Sequence, residues 1–113
     1  MEIFRWLDDS SFVKSHYIND FRKSETVFYL NIKIHFVNDS ELHVREYVDS
    51  DHRKYAFHWQ SSNGDLIIRW DNAPHFPDLL TFPHHKHLTS SEVTESYDIS
   101  LEAILEFIQN QIS

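Results

Sequence analysis

The chain has no cysteine, one glycine and three prolines in 113 residues, and each scarcity excludes something. Without thiols there is no disulfide framework, no thiolate zinc site and no cysteine nucleophile. A single glycine cannot build a phosphate cradle of the usual kind, and no GxGxxG, P-loop or GxSxG pattern occurs. No apolar run reaches the length that spans a bilayer. The start, MEIFRWLDDSS, alternates charged and apolar residues where a signal peptide carries an apolar core. A soluble, cytoplasmic protein with no membrane partner is expected. Basic residues are missing from Leu88 to Ser113, which holds Glu92, Glu95, Asp98, Glu102 and Glu106. That tail carries −5 of the net −8, leaving −3 for the first 87 residues and every histidine. A neutral or basic working face is therefore compatible with an acidic protein, because local fields matter more than the sum.

At this length one domain, 1–113, is expected, with 15% aromatic residues to fill its core. Residues 1–25 read as an N-terminal helix or edge strand: Met1 to Asp9 fits either, Phe12 to Ile18 favours a strand, and Phe21 to Glu25 is a polar break. Residues 26–71 read as an antiparallel meander. Phe28, Leu30, Ile32, Ile34 and Phe36 alternate there with Tyr29, Asn31, Lys33 and His35. After the turn Asn38-Asp39-Ser40, the apolar face continues as Leu42, Val44 and Val48. Glu46 lies on that face, where a carboxylate is costly unless paired. Asn63-Gly64 reads as a two-residue hairpin loop, setting Trp59 against Ile68, Phe57 against Trp70 and His58 against Arg69.

Residues 72–87 hold all three prolines and read as an ordered loop anchored by Leu79, Leu80 and Phe82. Leu88 to Tyr97 reads as a short strand or linker. Ser100 can cap a final helix within 99–112, whose stripe is Leu101, Ile104, Leu105, Ile108 and Ile112. The expected fold is α+β: one antiparallel β-meander sheet of about five to six strands with the C-terminal helix packed on one face.

The uncovered face of such a sheet carries Tyr29, Lys33, His35, His43, Arg45, Tyr47, His58, Gln60, Arg69 and Asp71. Cations and rings together suit phosphate binding and base stacking. His58 beside Arg69 is the most specific pair. An imidazole moves protons near neutral pH, and a guanidinium stabilises charge developing on a phosphoryl oxygen. The same set also fits a merely solvated face. His84, His85, Lys86 and His87 close the proline segment. His85 and His87 point the same way on an extended chain and could chelate a metal, with Asp71, Asp78 or His75 completing the set. The run equally fits acid–base or phosphate-binding groups, or a surface cluster. Glu46 either pairs with an arginine across the sheet or reaches the cleft as an acid–base group. Asp49, Asp51 and His52 read as a turn or a cation site.

Val44-Arg45-Glu46-Tyr47, the run from Tyr55 to Gln60 (YAFHWQ), the run from Ile68 to His75 (IRWDNAPH) and the run from Phe82 to His87 (FPHHKH) together resemble the TumE family, over about Asn31 to Ile112. That family consists of small toxin-like proteins of type II toxin–antitoxin modules. The resemblance implies a bacterial toxin partnered by a cognate antitoxin, often one with a DNA-binding domain. It also implies that Glu46, Tyr47, His58, Arg69, Asp71, His85 and Lys86 belong to one site. In that setting the residues point first to a small endoribonuclease acting on RNA without cofactor or metal. Arg45, Arg69 and Lys86 would hold phosphate, with Asp71 and His84 as further substrate contacts. His58 and His85 or His87 would move protons, Tyr47 would orient the scissile group, and Glu46 would join the catalytic set. The alternative is a non-enzymatic module docking the antitoxin or a host protein. A third is a metal-dependent hydrolase using His85 and His87 as ligands. A homodimer is compatible with each.

Overall fold

The computed structural model describes residues 2–112; Met1 and Ser113, included in the ranges above, lie outside them. The elements run α1 (Glu2–Asp9), β1 (Val13–Lys23), β2 (Phe28–Phe36), β3 (Glu41–Val48), β4 (Arg53–Gln60), β5 (Leu66–Asp71), β6 (His85–Leu88), β7 (Val93–Glu95) and α2 (Leu101–Ile112). All seven strands form one sheet in chain order, each antiparallel to the next. The α+β class and the C-terminal helix are as expected. The strand count is higher, and two helices instead of one cover the apolar face. No helix among the described residues is long and apolar enough to cross a membrane.

Alternation explains the layering. Leu30, Ile32, Ile34 and Phe36 of β2, Leu42 and Val44 of β3, Phe57 and Trp59 of β4 and Trp70 of β5 are all buried. They share a core with Ile3 and Leu7 of α1 and with Leu101, Ile104, Leu105 and Ile108 of α2. Burying each such large side chain contributes about 1.5–3 kcal/mol. Phe107 of α2 meets Trp59 and Trp70 edge-on. The Trp59 indole N–H donates to Ser40 Oγ at 3.0 Å, so the ring is buried with its polar edge satisfied. Ser100 caps α2 by accepting from the Ala103 amide at 3.1 Å.

Several local expectations change. The segment 2–9 is a helix, because Ile3 and Leu7 lie one turn apart on the core side. Strand β1 runs on to Lys23, through the expected break, and its turn is closed by Ser24, whose Oγ accepts from the Thr26 and Val27 amides. The hairpin loop is longer than Asn63-Gly64. The Gly64 amide bonds Ser61 O at 2.9 Å, and Gly64 takes φ 90°, which an L side chain rarely adopts. A bulge then shifts the register between Gln60–Leu66 and Trp59–Ile68, so the expected pairs Trp59–Ile68, Phe57–Trp70 and His58–Arg69 form nonetheless. Only the first part of 72–87 is loop, since His85 begins β6. Leu80 and Phe82 are 90% and 43% exposed and do not anchor it. Polar groups do. Asn72 extends the β4–β5 ladder by accepting from the Tyr55 amide (3.0 Å) and donating to Arg53 O (2.7 Å). Thr81, buried, donates to His84 O and accepts from the Ser96 amide.

Candidate functional site

Antiparallel register places two rows of side chains side by side on the face away from the helices. One row runs Asn31, Arg45, Ala56, Asp71, His85 from β2 to β6; its neighbour runs Lys33, His43, His58, Arg69, His87. A groove of about 680 Å³ lies over them, lined by residues that include Asn19, Asn31, Lys33, His43, Arg45, Ala56, His58, Gln60 and Arg69. Ala56 keeps its floor low, because only a methyl stands between Arg45 and Asp71. Among the described residues lining it there is no carboxylate. Glu2, Glu102 and Glu106 lie instead beside the helices on the opposite face. The chain is acidic, but this groove is lined mostly by cations, imidazoles and amides, with Glu41 at its edge 3.8 Å from Lys33.

His58 and Arg69 meet as the register requires. Arg69 Nη1 donates to His58 Nδ1 at 3.3 Å, which leaves the imidazole neutral with its proton on Nε2. Burial, then the adjacent Arg69 charge and then His43 hold the His58 pKa below its ordinary value. The rings of His43 and His58 lie 6.2 Å apart, and Glu41 Oε2 stands 3.3 Å from His43 Nε2.

Beyond Arg69, Asp71 gathers its neighbours. Its Oδ1 lies 2.9 Å from His85 Nε2 and accepts from the Ala73 amide at 3.0 Å. Its Oδ2 lies 3.3 Å from His87 Nε2 and accepts from Arg69 Nε at 3.2 Å. His85 Nδ1 donates to the Pro83 carbonyl at 2.9 Å. Phe76, carried by the proline loop, sets its ring against both imidazoles, 4.8 and 5.9 Å away. The loop thus folds over this end of the polar face. A smaller cavity of about 290 Å³ opens here and shares Ala56 and Arg69 with the groove. Burial holds the His87 pKa below its ordinary value, with the Asp71 charge opposing.

Residues 3–112 match the family model described as Toxin TumE. The chain belongs to the TumE family. No curated protein and no solved structure matches it.

The TumE-like segments divide between the two faces of the sheet. Arg45, His58, Arg69, Asp71, His85 and His87 come together on the open face. Glu46 does not: it sits on the helix side, where it accepts from Arg53 Nε at 2.8 Å, the structural alternative weighed for it. Arg53 also donates to Ile99 O at 2.7 Å, pairs with Asp98 and lies 4.2 Å over the Tyr55 ring. Lys86 pairs with Trp70 and His84 bonds the Tyr55 hydroxyl at 2.8 Å, so both stand off the groove. Burial pushes the Tyr55 phenol up to about 12. Tyr47 is on the open face but further along β3, donating to Asp49 Oδ2 at 2.8 Å. The Asp51 amide, then that bond and the His52 amide, hold the Asp49 carboxyl below its ordinary range, and the two amides make the segment a turn. Reading the sequence placed His43 on the polar face but gave no role in the site to it, to Asn31 or Ala56, or to Phe76. The first three were readable from period-two alternation once the register of β2 to β4 was fixed; Phe76 had no such signal.

Proposed function

We propose that this TumE-family chain is a toxin-like endoribonuclease that works on the open face of its sheet, cleaving RNA by transesterification. One observation carries the reading: the cross-strand row Lys33, His43, His58, Arg69 sets two imidazoles between two cations along the groove, with Glu41 beside Lys33 and His43 and Asp71 beside Arg69. Lys33, Arg45 and Arg69 would bind the phosphodiester of a single strand laid along the groove. An arriving phosphoryl oxygen offers Arg69 a stronger acceptor than an imidazole nitrogen, which releases the lone pair on His58 Nδ1. His58 takes the 2′-hydroxyl proton as that oxygen bonds to phosphorus. The bond from phosphorus to the 5′ oxygen breaks, and His43 supplies a proton to that oxygen. The products are a 2′,3′-cyclic phosphate and a 5′-hydroxyl, with no oxidant, reductant or water consumed. The test is incubation of the purified protein with end-labelled single-stranded RNA and with DNA of the same sequence, with and without chelator. RNA cut to cyclic ends beside intact DNA is expected; intact RNA in every condition, or equal cutting of DNA, overturns the reading.

A second reading has its own observation. Leu80, Phe82 and Tyr97 are exposed on either side of the bond from the Ser96 amide to Thr81. Exposed apolar groups of this kind suit a protein partner, here the antitoxin that a toxin module carries. On this reading the chain is a binding module. Leu80→Asp would abolish partner pull-down and toxicity, and the wild-type protein would leave RNA intact.

A further inference from the structure

We propose that Asp71, His85 and His87 bind one divalent transition-metal ion of the Zn²⁺ type. The three residues come from paired strands, and their ligand atoms all lie within 4.8 Å of one another. Asp71 Oδ1 lies 2.9 Å from His85 Nε2 and Oδ2 lies 3.3 Å from His87 Nε2, so an ion shared by both imidazoles would be chelated by the two carboxylate oxygens. Oxygen and nitrogen ligands about 2.0–2.2 Å from zinc stand roughly 3.0–3.5 Å apart at octahedral to tetrahedral angles.

The buried imidazole supplies the second argument. A carbonyl only accepts, so His85 Nδ1 carries a proton for Pro83 O. Nε2 of a neutral ring is then a lone pair, and it faces a carboxylate oxygen at 2.9 Å where the His85 and Asp71 side chains are 1% and 8% exposed. Out of water that contact is satisfied either by a second proton on the ring, giving an imidazolium–carboxylate pair, or by a metal ion between the two acceptors. A metal ion satisfies His85, His87 and Asp71 together. Binding the outer nitrogen of a histidine to a backbone carbonyl is also how proteins orient metal ligands. The carboxylate is braced in the same manner by the Ala73 amide and Arg69 Nε. Three protein ligands leave a coordination position for water or substrate, and the adjoining cavity opens it toward Arg69 and Ala56.

This inference stands apart from the RNA reading, since its readout is the metal itself. The full chain is stripped with chelator, then titrated with Co²⁺ by visible absorption and with Zn²⁺ by elemental analysis after desalting. Wild type is expected to hold one ion per chain, and His35→Ala, at a partly exposed histidine of β2 outside the Asp71 cluster and the Asp49–Asp51–His52 turn, is expected to match it. Asp71→Asn and His87→Gln should weaken binding at least ten-fold. Asp71 and His85 are buried, so near-ultraviolet circular dichroism checks that Asp71→Asn folds, and the more exposed His87→Gln stands as the second variant. Wild type without stoichiometric metal overturns the site, as does unchanged binding in folded His87→Gln. A metal-free protein that cuts RNA would leave the proposed function standing and this inference wrong.

Discussion

Arg69 reaches across the β4–β5 ladder to His58, its Nη1 3.3 Å from the imidazole Nδ1, and this bond specifies which nitrogen of His58 is free of a proton. Burial comes first among the causes that lower the His58 pKa, followed by Arg69 on β5 and His43 on β3, with His87 more distant. Replacing the guanidinium removes the second cause only. In Arg69→Gln the His58 ring should therefore titrate at higher pH than in wild type, yet still below the ordinary value of about 6.5. Histidine proton resonances followed against pH measure this directly; coincident titrations would show that the pair is not coupled.

The same shift has a stability consequence with a definite sign. The folded state holds the His58 proton less tightly than the unfolded chain does, so the unfolded state binds more protons as pH falls from about 6.5 toward the lowered folded value. Stability drops across that window. His58→Gln should remove this part of the acid loss, seen as a flatter dependence of the urea midpoint on pH. An unchanged slope would contradict the assignment.

RNA binding should be salt-dependent through Lys33, Arg45 and Arg69, which line the groove. Each phosphate contact on a single strand contributes about 0.7 to the slope of log affinity against log salt. Arg45→Gln should lower that slope by about this amount. Ala56→Leu should fill the floor of the groove and weaken binding at least ten-fold with little change in thermal stability. Fluorescence anisotropy with labelled RNA measures both, and wild-type affinity in Ala56→Leu would place RNA elsewhere.

Glu46 belongs to the framework on the helix side, through Arg53. Glu46→Ala leaves a partly buried guanidinium with fewer partners and should cost about 1.5–3 kcal/mol in urea unfolding, the scale of a charge-assisted hydrogen bond. RNA cleavage by the folded variant should be unchanged. A loss of cleavage without a loss of stability would return Glu46 to the site.

The sequence carried the centre of this fold and lost its edge. Five apolar positions alternating through β2 leave little choice of face, and the aromatic pairs of β4 and β5 fix the register that sets His58 against Arg69. His85–Leu88 gives no comparable signal: HKHL contains one apolar residue and begins two residues after Pro83, so its strand character comes from pairing with β5 and β7. Without β6 the third ligand stayed open among Asp71, Asp78 and His75, until pairing with β5 set His85 and His87 beside Asp71. Glu46 was ambiguous for a related reason. Its pattern showed it on the apolar side, and Arg53 falls on the same side two residues before Tyr55, but the β3–β4 register that brings the two together was not fixed by alternation.

The central claim is that the His43–His58 pair on the open face cleaves RNA. Single-turnover cleavage of a labelled RNA by wild type and by His58→Ala tests it most directly. The account predicts cleavage to a 2′,3′-cyclic end by wild type and a loss of about 10²–10⁴-fold in the variant, the usual contribution of one proton-transfer group. Equal rates in the two folded proteins, or RNA left intact by wild type with and without divalent metal, would contradict it.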